Sequence, residues 1–178
     1  MASPYFNDGS VVKYSFAGND LQISWDVTNQ VVTLVAVVPE NNYFSVGFGR
    51  DMYNTDMILW QNKASSAVTT DLWSKDRGTP KADATQNYRS RSLRDSSGAV
   101  TFTSMRLMDT GDSLDFAIPT DTDLLWCWAQ KNSFEFVEHD QDGKFRICFG
   151  SDGSVGVTGC NAKSLQSGTT SSSSQSLA

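Results

Sequence analysis

The sequence predicts an all-β fold, an antiparallel sandwich or barrel of about ten short strands. Three observations point there. Apolar residues recur at period two in short runs, most cleanly at Leu21, Ile23, Trp25 and Val27 against Gln22, Ser24 and Asp26. Gly, Pro, Asn and Asp, the residues of turn chemistry, separate those runs. No segment sustains a helical period.

Residues 1–10 read as a lead-in, with Pro4 and the turn Asn7-Asp8-Gly9. Val11–Phe16 reads as an edge strand, and Ala17-Gly18-Asn19-Asp20 as a turn into Leu21–Val27. Val31–Val38 is apolar at nearly every position, the pattern of a central strand covered on both faces. Pro39 ends it. Phe44, Val46 and Phe48 then alternate with Tyr43, Ser45, Gly47 and Gly49. The first set would face a core, and the two glycines would leave room on the other side for something flat to approach the backbone. A polar loop, Arg50–Asp56, leads to a buried strand at Met57–Trp60, and Ala67–Trp73 is the next strand.

Residues 74–94 are charged and interrupted by Gly78 and Pro80, so a long irregular surface loop is expected. Val100–Leu107 is a strand. Leu114, Phe116 and Ile118 alternate with polar neighbours and predict another, closed by Pro119. Leu124–Ala129 follows, then Phe134–Val137 ahead of His139. Asp140-Gln141-Asp142-Gly143 reads as a hairpin turn, and Lys144–Phe149 as the last strand. The domain is thus expected over 11–162. Residues 163–178, rich in Ser, Thr, Gln and Gly, are expected to be disordered, because they bury too little to offset ordering entropy.

Composition bounds the function. Fourteen basic residues against twenty acidic ones give a net charge of −6. That excludes simple phosphate-backbone binding and adsorption to anionic lipid. No run reaches the roughly eighteen apolar residues of a membrane span. The start shows neither a basic nor an apolar signal region, so the chain reads as cytosolic or as a mature form behind an added Met1. One histidine among 178 residues leaves no Ser-His-Asp or Cys-His set and no multi-histidine metal site. Cys148 and Cys160 bracket a glycine-rich loop and can pair in an oxidising compartment, which would leave Cys127 free; three reduced cysteines are the other reading. No Asn-x-Ser/Thr acceptor is present.

Two residues stand out chemically. Met52 sits in a polar loop, where a thioether is unusual; its plainer reading is a gap-filler over the core edge. His139 is the lone imidazole. Together they form one of the standard axial pairs for haem iron.

The order of motifs resembles a known family. Trp25, then Phe44-Ser45-Val46-Gly47-Phe48-Gly49-x-x-Met52-x-x-x-Asp56-Met57, then Phe102, Arg106-Leu107 and Thr110-Gly111-Asp112, then Trp126-Cys127-Trp128-Ala129, then His139-x-x-x-Gly143-x-Phe145 is similar to the DOMON domain, and to its haem-b branch. That branch includes the cytochrome domain of cellobiose dehydrogenase and domains fused to cytochrome b561. The resemblance spans about Leu21 to Phe149; its specificity lies in the order of the pieces, not in any one. It implies an immunoglobulin-like antiparallel β-sandwich, an extracellular or secreted setting, and one haem b (iron protoporphyrin IX) held by Met52 and His139. It implies electron transfer between a donor and a redox partner protein, a flavoenzyme or a membrane cytochrome, rather than an enzyme in its own right.

Tyr43, Trp60, Trp126, Trp128 and Phe136, with Phe134, are then candidate walls of the haem pocket, though the plainer role for any one of them is to fill the sandwich core. Strand parity sets Trp126 and Trp128 on one face and Cys127 on the other, which disfavours Cys127 at the iron if the tryptophans line the haem. Met57 competes with Met52 as the sulfur ligand; the resemblance assigns it to the core. Arg77, Lys81, Arg89, Arg91 and Arg94 form either a solvated face or a contact for haem propionates or an acidic partner. Asp140 stands where many members carry glycine after the histidine. The alternative is a haem-free DOMON domain that binds a carbohydrate or acts as an interaction module.

Overall fold

The computed structural model describes residues 3–5, of which only the backbone, and residues 11–157 and 160. The rest of the expected lead-in and the Ser-rich tail from 163 lie outside the described residues. Among the described residues there is no α-helix, and hence no helix long and apolar enough to cross a membrane.

Two antiparallel sheets form a sandwich. The first contains β1 (Ser3–Tyr5), β2 (Val11–Phe16), β3 (Asn19–Asp26), β4 (Val31–Val38), β10 (Val100–Leu107) and β9 (Arg89–Arg94), in that spatial order. The second runs β13 (Val155–Gly156), β12 (Gln141–Phe149), β11 (Leu124–Lys131), β5 (Tyr43–Gly47), β6 (Thr55–Lys63), β7 (Ser66–Ser74) and β8 (Lys81–Ala82). The chain leaves the first sheet after β4, builds β5–β8 in the second, returns for β9 and β10, and ends in the second. The expected sandwich is therefore present, with more strands than expected because β1, β8, β9 and β13 are added at the sheet edges.

The core lies between the sheets and follows the pleat, since alternate side chains of a strand share a face. Val12, Leu21, Ile23, Leu34, Phe102, Val46, Ile58 and Ile147 are wholly or almost wholly buried there. Trp60 stacks on Phe44 at 5.7 Å, and its indole Nε1 donates across the sandwich to Ser104 Oγ (2.9 Å). Trp126 packs edge-on to Phe48 at 4.6 Å. Cys148 near the end of β12 forms a disulfide with Cys160 beyond β13, and Cys127 is free.

Four local expectations are corrected. Val31–Val38 is central in its sheet but covered on one face only: its odd-numbered residues are half-buried, because a two-layer sandwich offers no third layer. Leu114–Ile118 is not a strand. Its backbone is held instead by Leu114 N–H to Asp112 Oδ1 (3.0 Å), Phe116 N–H to Asp56 Oδ2 (2.8 Å) and Ile118 N–H to Met108 O (2.8 Å). Residues 74–94 are only partly irregular, since they contain β8 and β9. Asp140–Gly143 is not a turn: Asp140 N–H already bonds Gln130 O, and Gln141, Asp142 and Gly143 pair with Gln130, Ala129 and Trp128. The reversal takes place earlier, over 132–139.

Candidate functional site

Strand parity gives the second sheet two different faces. Phe44, Val46, Ile58, Trp60 and Trp126 point into the sandwich. Tyr43, Met57, Leu59 and Leu72 make a separate apolar cluster on the outside of that sheet, with Phe136 packed against it. A cavity of about 650 Å³ opens there, within the range of roughly 300–1,000 Å³ typical of small-molecule and cofactor sites. Tyr43, Met52, Trp128, Phe136 and His139 all line it.

Two loops bring Met52 and His139 to this cavity from distant parts of the chain. The Met52 loop is pinned by Thr55, whose hydroxyl donates to the carbonyls of Asp51 (2.6 Å) and Tyr53 (3.0 Å). The His139 loop is folded down onto the sheet: Tyr43 Oη donates to Val137 O (2.7 Å) and Gln61 Nε2 to Phe134 O (2.5 Å). The Tyr43 and Phe136 rings meet edge-on at 5.5 Å. Burial, and then the charge of Asp140, push the Tyr43 phenol up to about 12, so it stays a neutral donor to the loop. Asp140 closes the loop by accepting from Lys131 Nζ (2.8 Å) and Asn132 N–H (3.0 Å). The Lys131 hydrogen bond foremost holds its carboxyl below the usual range. The residue in place of glycine therefore braces the loop.

His139 Nδ1 lies 3.3 Å from Asp142 Oδ2. A carboxylate beside one ring nitrogen is a neighbour able to orient a ligating histidine. Met52 and His139 are both half-buried. Arg50, Arg77 and Lys144 also border the cavity, together with Asp51, Glu138 and Asp142, so its charged lining carries both signs.

Several expected site residues are elsewhere. Trp60 and Trp126 do not line the cavity; both are fully buried between the sheets. Trp128 shares their parity and stacks on Phe16 at 4.9 Å, yet also borders the cavity. The glycines do not offer a flat bed. A Cβ on Gly47 would lie 2.7 Å from Cys127 Sγ, and one on Gly49 would lie 3.0 Å from Thr55 Oγ1, so protein atoms already take that room. At Gly143 the Trp128 indole does the same, 2.7 Å away.

Cys127 thus sits on the cavity side, contrary to the idea that the tryptophans would hold it away. Burial pushes its thiol up to about 11, so it is protonated at neutral pH and a poor metal donor. Met57 also lines the cavity, as part of its apolar floor. The arginine-rich stretch disperses. Arg77 alone of it borders the cavity. Arg94 turns inward to Asn62 Oδ1 (2.8 Å), Gly98 O (2.8 Å) and Lys63 O (2.6 Å). Arg89 and Arg91 are exposed in the other sheet. Arg50 and Lys144 were not singled out from sequence, although each follows or precedes a motif residue closely enough to have been found.

The fold has solved counterparts. The cytochrome b domain of pyranose dehydrogenase from Coprinopsis cinerea is similar with a TM-score of 0.60 at 13% identity, over 82% of this chain and 87% of that one. The cytochrome domain of cellobiose dehydrogenase from Myriococcum thermophilum is similar with a TM-score of 0.57 at 9% identity, over 86% and 90%. No curated protein matches in sequence. The family model of the DOMON domain matches residues 17–131, a span from the turn before β3 through β11, and the chain belongs to the DOMON domain family.

Proposed function

We propose that this domain is an electron-transfer protein that holds one b-type haem in the outer-face cavity, with Met52 and His139 as axial ligands. The observation that carries the reading is the convergence of the lone histidine and a loop methionine on one apolar cavity. When bound, the group supplies one-electron iron chemistry. The chain's residues fit it in three respects. The donor set is one imidazole and one thioether. The lining is apolar at Tyr43, Met57, Ala129 and Phe136, and among its charged residues Arg50, Arg77 and Lys144, alongside Asp51, Glu138 and Asp142, offer partners for two propionates.

Each residue has a stated task. Asp142, with Oδ2 3.3 Å from His139 Nδ1, would help to orient the ring. Met52 favours the reduced metal more than a second histidine would. With both Met52 and His139 holding the group, it would serve electron transfer rather than oxygen binding. The hydrogen bonds from Tyr43 and Gln61 hold the histidine loop in place. The two similar structures are cytochrome domains of dehydrogenases, so a dehydrogenase such as a flavoenzyme is the first candidate redox partner and a membrane cytochrome the second. An extracellular setting agrees with the Cys148–Cys160 disulfide, a bond of oxidising compartments.

The test is optical. The purified chain, titrated with hemin, should saturate at one equivalent and show the sharp reduced-state bands of a low-spin iron. His139→Ala should abolish that spectrum. Met52→Ala should convert it to high spin, whereas Met57→Ala should leave the bands in place. A protein that stays colourless with hemin, or a spectrum indifferent to His139→Ala, would overturn the reading and leave the haem-free carbohydrate-binding or interaction module.

A further inference from the structure

The interior of the sandwich is ionic at one end. Arg106 on β10 is buried there with three carboxylates: Asp56 on β6, Asp71 on β7 and Asp115 in the irregular segment after β10. None of the three lines the cavity described above.

The hydrogen bonding of the three acids follows one pattern. Asp56 Oδ2 accepts from Arg106 Nη1 (2.5 Å) and from Phe116 N–H (2.8 Å). Asp71 Oδ2 accepts from Asn87 N–H (3.0 Å). Asp115 Oδ2 accepts from the Thr110 hydroxyl (2.5 Å) and, with the Asn87 amide nitrogen turned toward it, from that side chain (3.3 Å). In every case Oδ2 is satisfied, and in every case Oδ1 is buried with no partner. The remaining Arg106 donors are committed elsewhere: Nε to Leu107 O (3.2 Å) and Nη2 to Phe116 O. The Tyr88 hydroxyl, which belongs to none of the acids, is likewise buried and unpartnered, and its ring lies 5.7 Å from the Arg106 guanidinium carbon.

One carboxylate oxygen from each of Asp56, Asp71 and Asp115 lies within 4.8 Å of the others. Oxygens bound to one Ca²⁺ at about 2.4 Å sit no more than about twice that distance apart. Charge makes the same demand. When all are ionised, three carboxylates and one guanidinium leave an uncompensated double negative charge among buried groups, and burying such charge is costly.

We propose that Asp56, Asp71 and Asp115 hold one divalent, oxygen-preferring cation through their Oδ1 atoms, inside the sandwich and apart from the cavity of the proposed haem. A dicarboxylate-or-richer, all-oxygen donor set selects a hard cation. Ca²⁺ fits better than Mg²⁺ because its flexible geometry accepts irregularly placed oxygens, whereas Mg²⁺ demands a near-ideal octahedron; the three Oδ1 atoms would supply part of the roughly six to eight oxygens that Ca²⁺ takes. The ion brings the cluster to formal neutrality with Arg106. It also ties three elements together: β6, β7, and the 108–118 connection, which has no strand partner of its own. It is a structural staple rather than a reaction centre.

The experiment uses the whole chain without haem, so its outcome is independent of the haem proposal. Protein purified without chelator is analysed for bound calcium. A second portion is stripped with EGTA, dialysed, and titrated with CaCl2 by calorimetry and thermal melting. The expected result is one equivalent of calcium, or a melting temperature that rises by roughly 5–10 °C at a hundredfold excess over Kd. Asp71→Asn should weaken binding at least tenfold. In calcium-free buffer it should melt no lower than the parent, since it relieves repulsion, which separates lost binding from lost folding. Absence of bound calcium together with no shift in the parent would overturn the site. So would calcium binding undiminished in Asp71→Asn. Shared protons would then neutralise the cluster.

Discussion

The two sheets bury their inner faces alike and differ on their outer faces. Outside the first sheet, β4 and β10 present Thr33, Val35, Thr101 and Thr103 half-buried and Met105 and Leu107 exposed. That is the ordinary alternation of a sheet with one side toward water. Outside the second, Tyr43, Met57, Leu59 and Leu72 are all buried, and β5 has no exposed residue. Such a face has no water side, so something must lie over it. The Met52 loop and the 132–139 loop do so, and the space they enclose is the cavity. The functional side of this domain is thus marked by which sheet is apolar twice over, not by where the largest aromatics are.

That contrast can be broken at its two faces. Trp126→Ala, on the inner face, should cost about 3–5 kcal/mol of stability, the usual penalty for emptying a buried aromatic site, read by urea unfolding. Phe136→Ala, over the outer face, should cost a smaller amount, about 1–2 kcal/mol for a half-buried ring, but should lower hemin affinity well beyond its effect on folding. If the two variants affect stability and hemin retention in the same proportion, the faces do not divide their roles as described.

A second variant sharpens the floor between them. A Cβ at Gly47 meets Cys127 Sγ at 2.7 Å and Thr55 Cγ2 at 3.1 Å. Gly47→Ala should therefore cost about 1–3 kcal/mol, the range for overpacking. Cys127→Ala in the same chain removes the Sγ and should return a good part of that loss. A double variant no more stable than Gly47→Ala would show that Cys127 is not what the glycine accommodates.

Much of this was legible in the residues. Period-two alternation placed β3 and β5, and runs of apolar residues placed β4 and β6, because their inner faces are apolar. The pairing of Met52 with His139 at one cavity was reached through motif order rather than composition. What remained hidden depended on tertiary context. Leu114, Phe116 and Ile118 alternate like a strand, but Asp56 and Arg106 claim the backbone of Phe116 before any strand can. Trp60 and Trp126 have the chemistry of pocket walls; only the register of β6 with β7, and of β11 with β5, settles that they face inward. The Asp56, Asp71 and Asp115 cluster joins residues far apart in sequence, with no local spacing to reveal it.

The smallest expected effect concerns that cluster in the absence of added metal. Burial foremost pushes the Asp56 carboxyl up to about 6, against the pull of Arg106, and pushes Asp71 up to about 7. An unfolded aspartate titrates near 3.9. A folded pKa above the unfolded one means that the folded state binds the proton more tightly, so the stabilisation is complete below about pH 4. It is lost as pH rises through 6 and 7. In chelator, the melting temperature should therefore decline by a few degrees between pH 5 and 8 once the ordinary acid effects of surface groups are matched in Asp71→Asn. Added calcium should flatten that decline, because an ion at the three Oδ1 atoms keeps the carboxylates charged without penalty. A decline equally steep in parent and Asp71→Asn would place its origin elsewhere on the inner face, and the contrast between an ionic interior end and an apolar outer cavity would lose its energetic content.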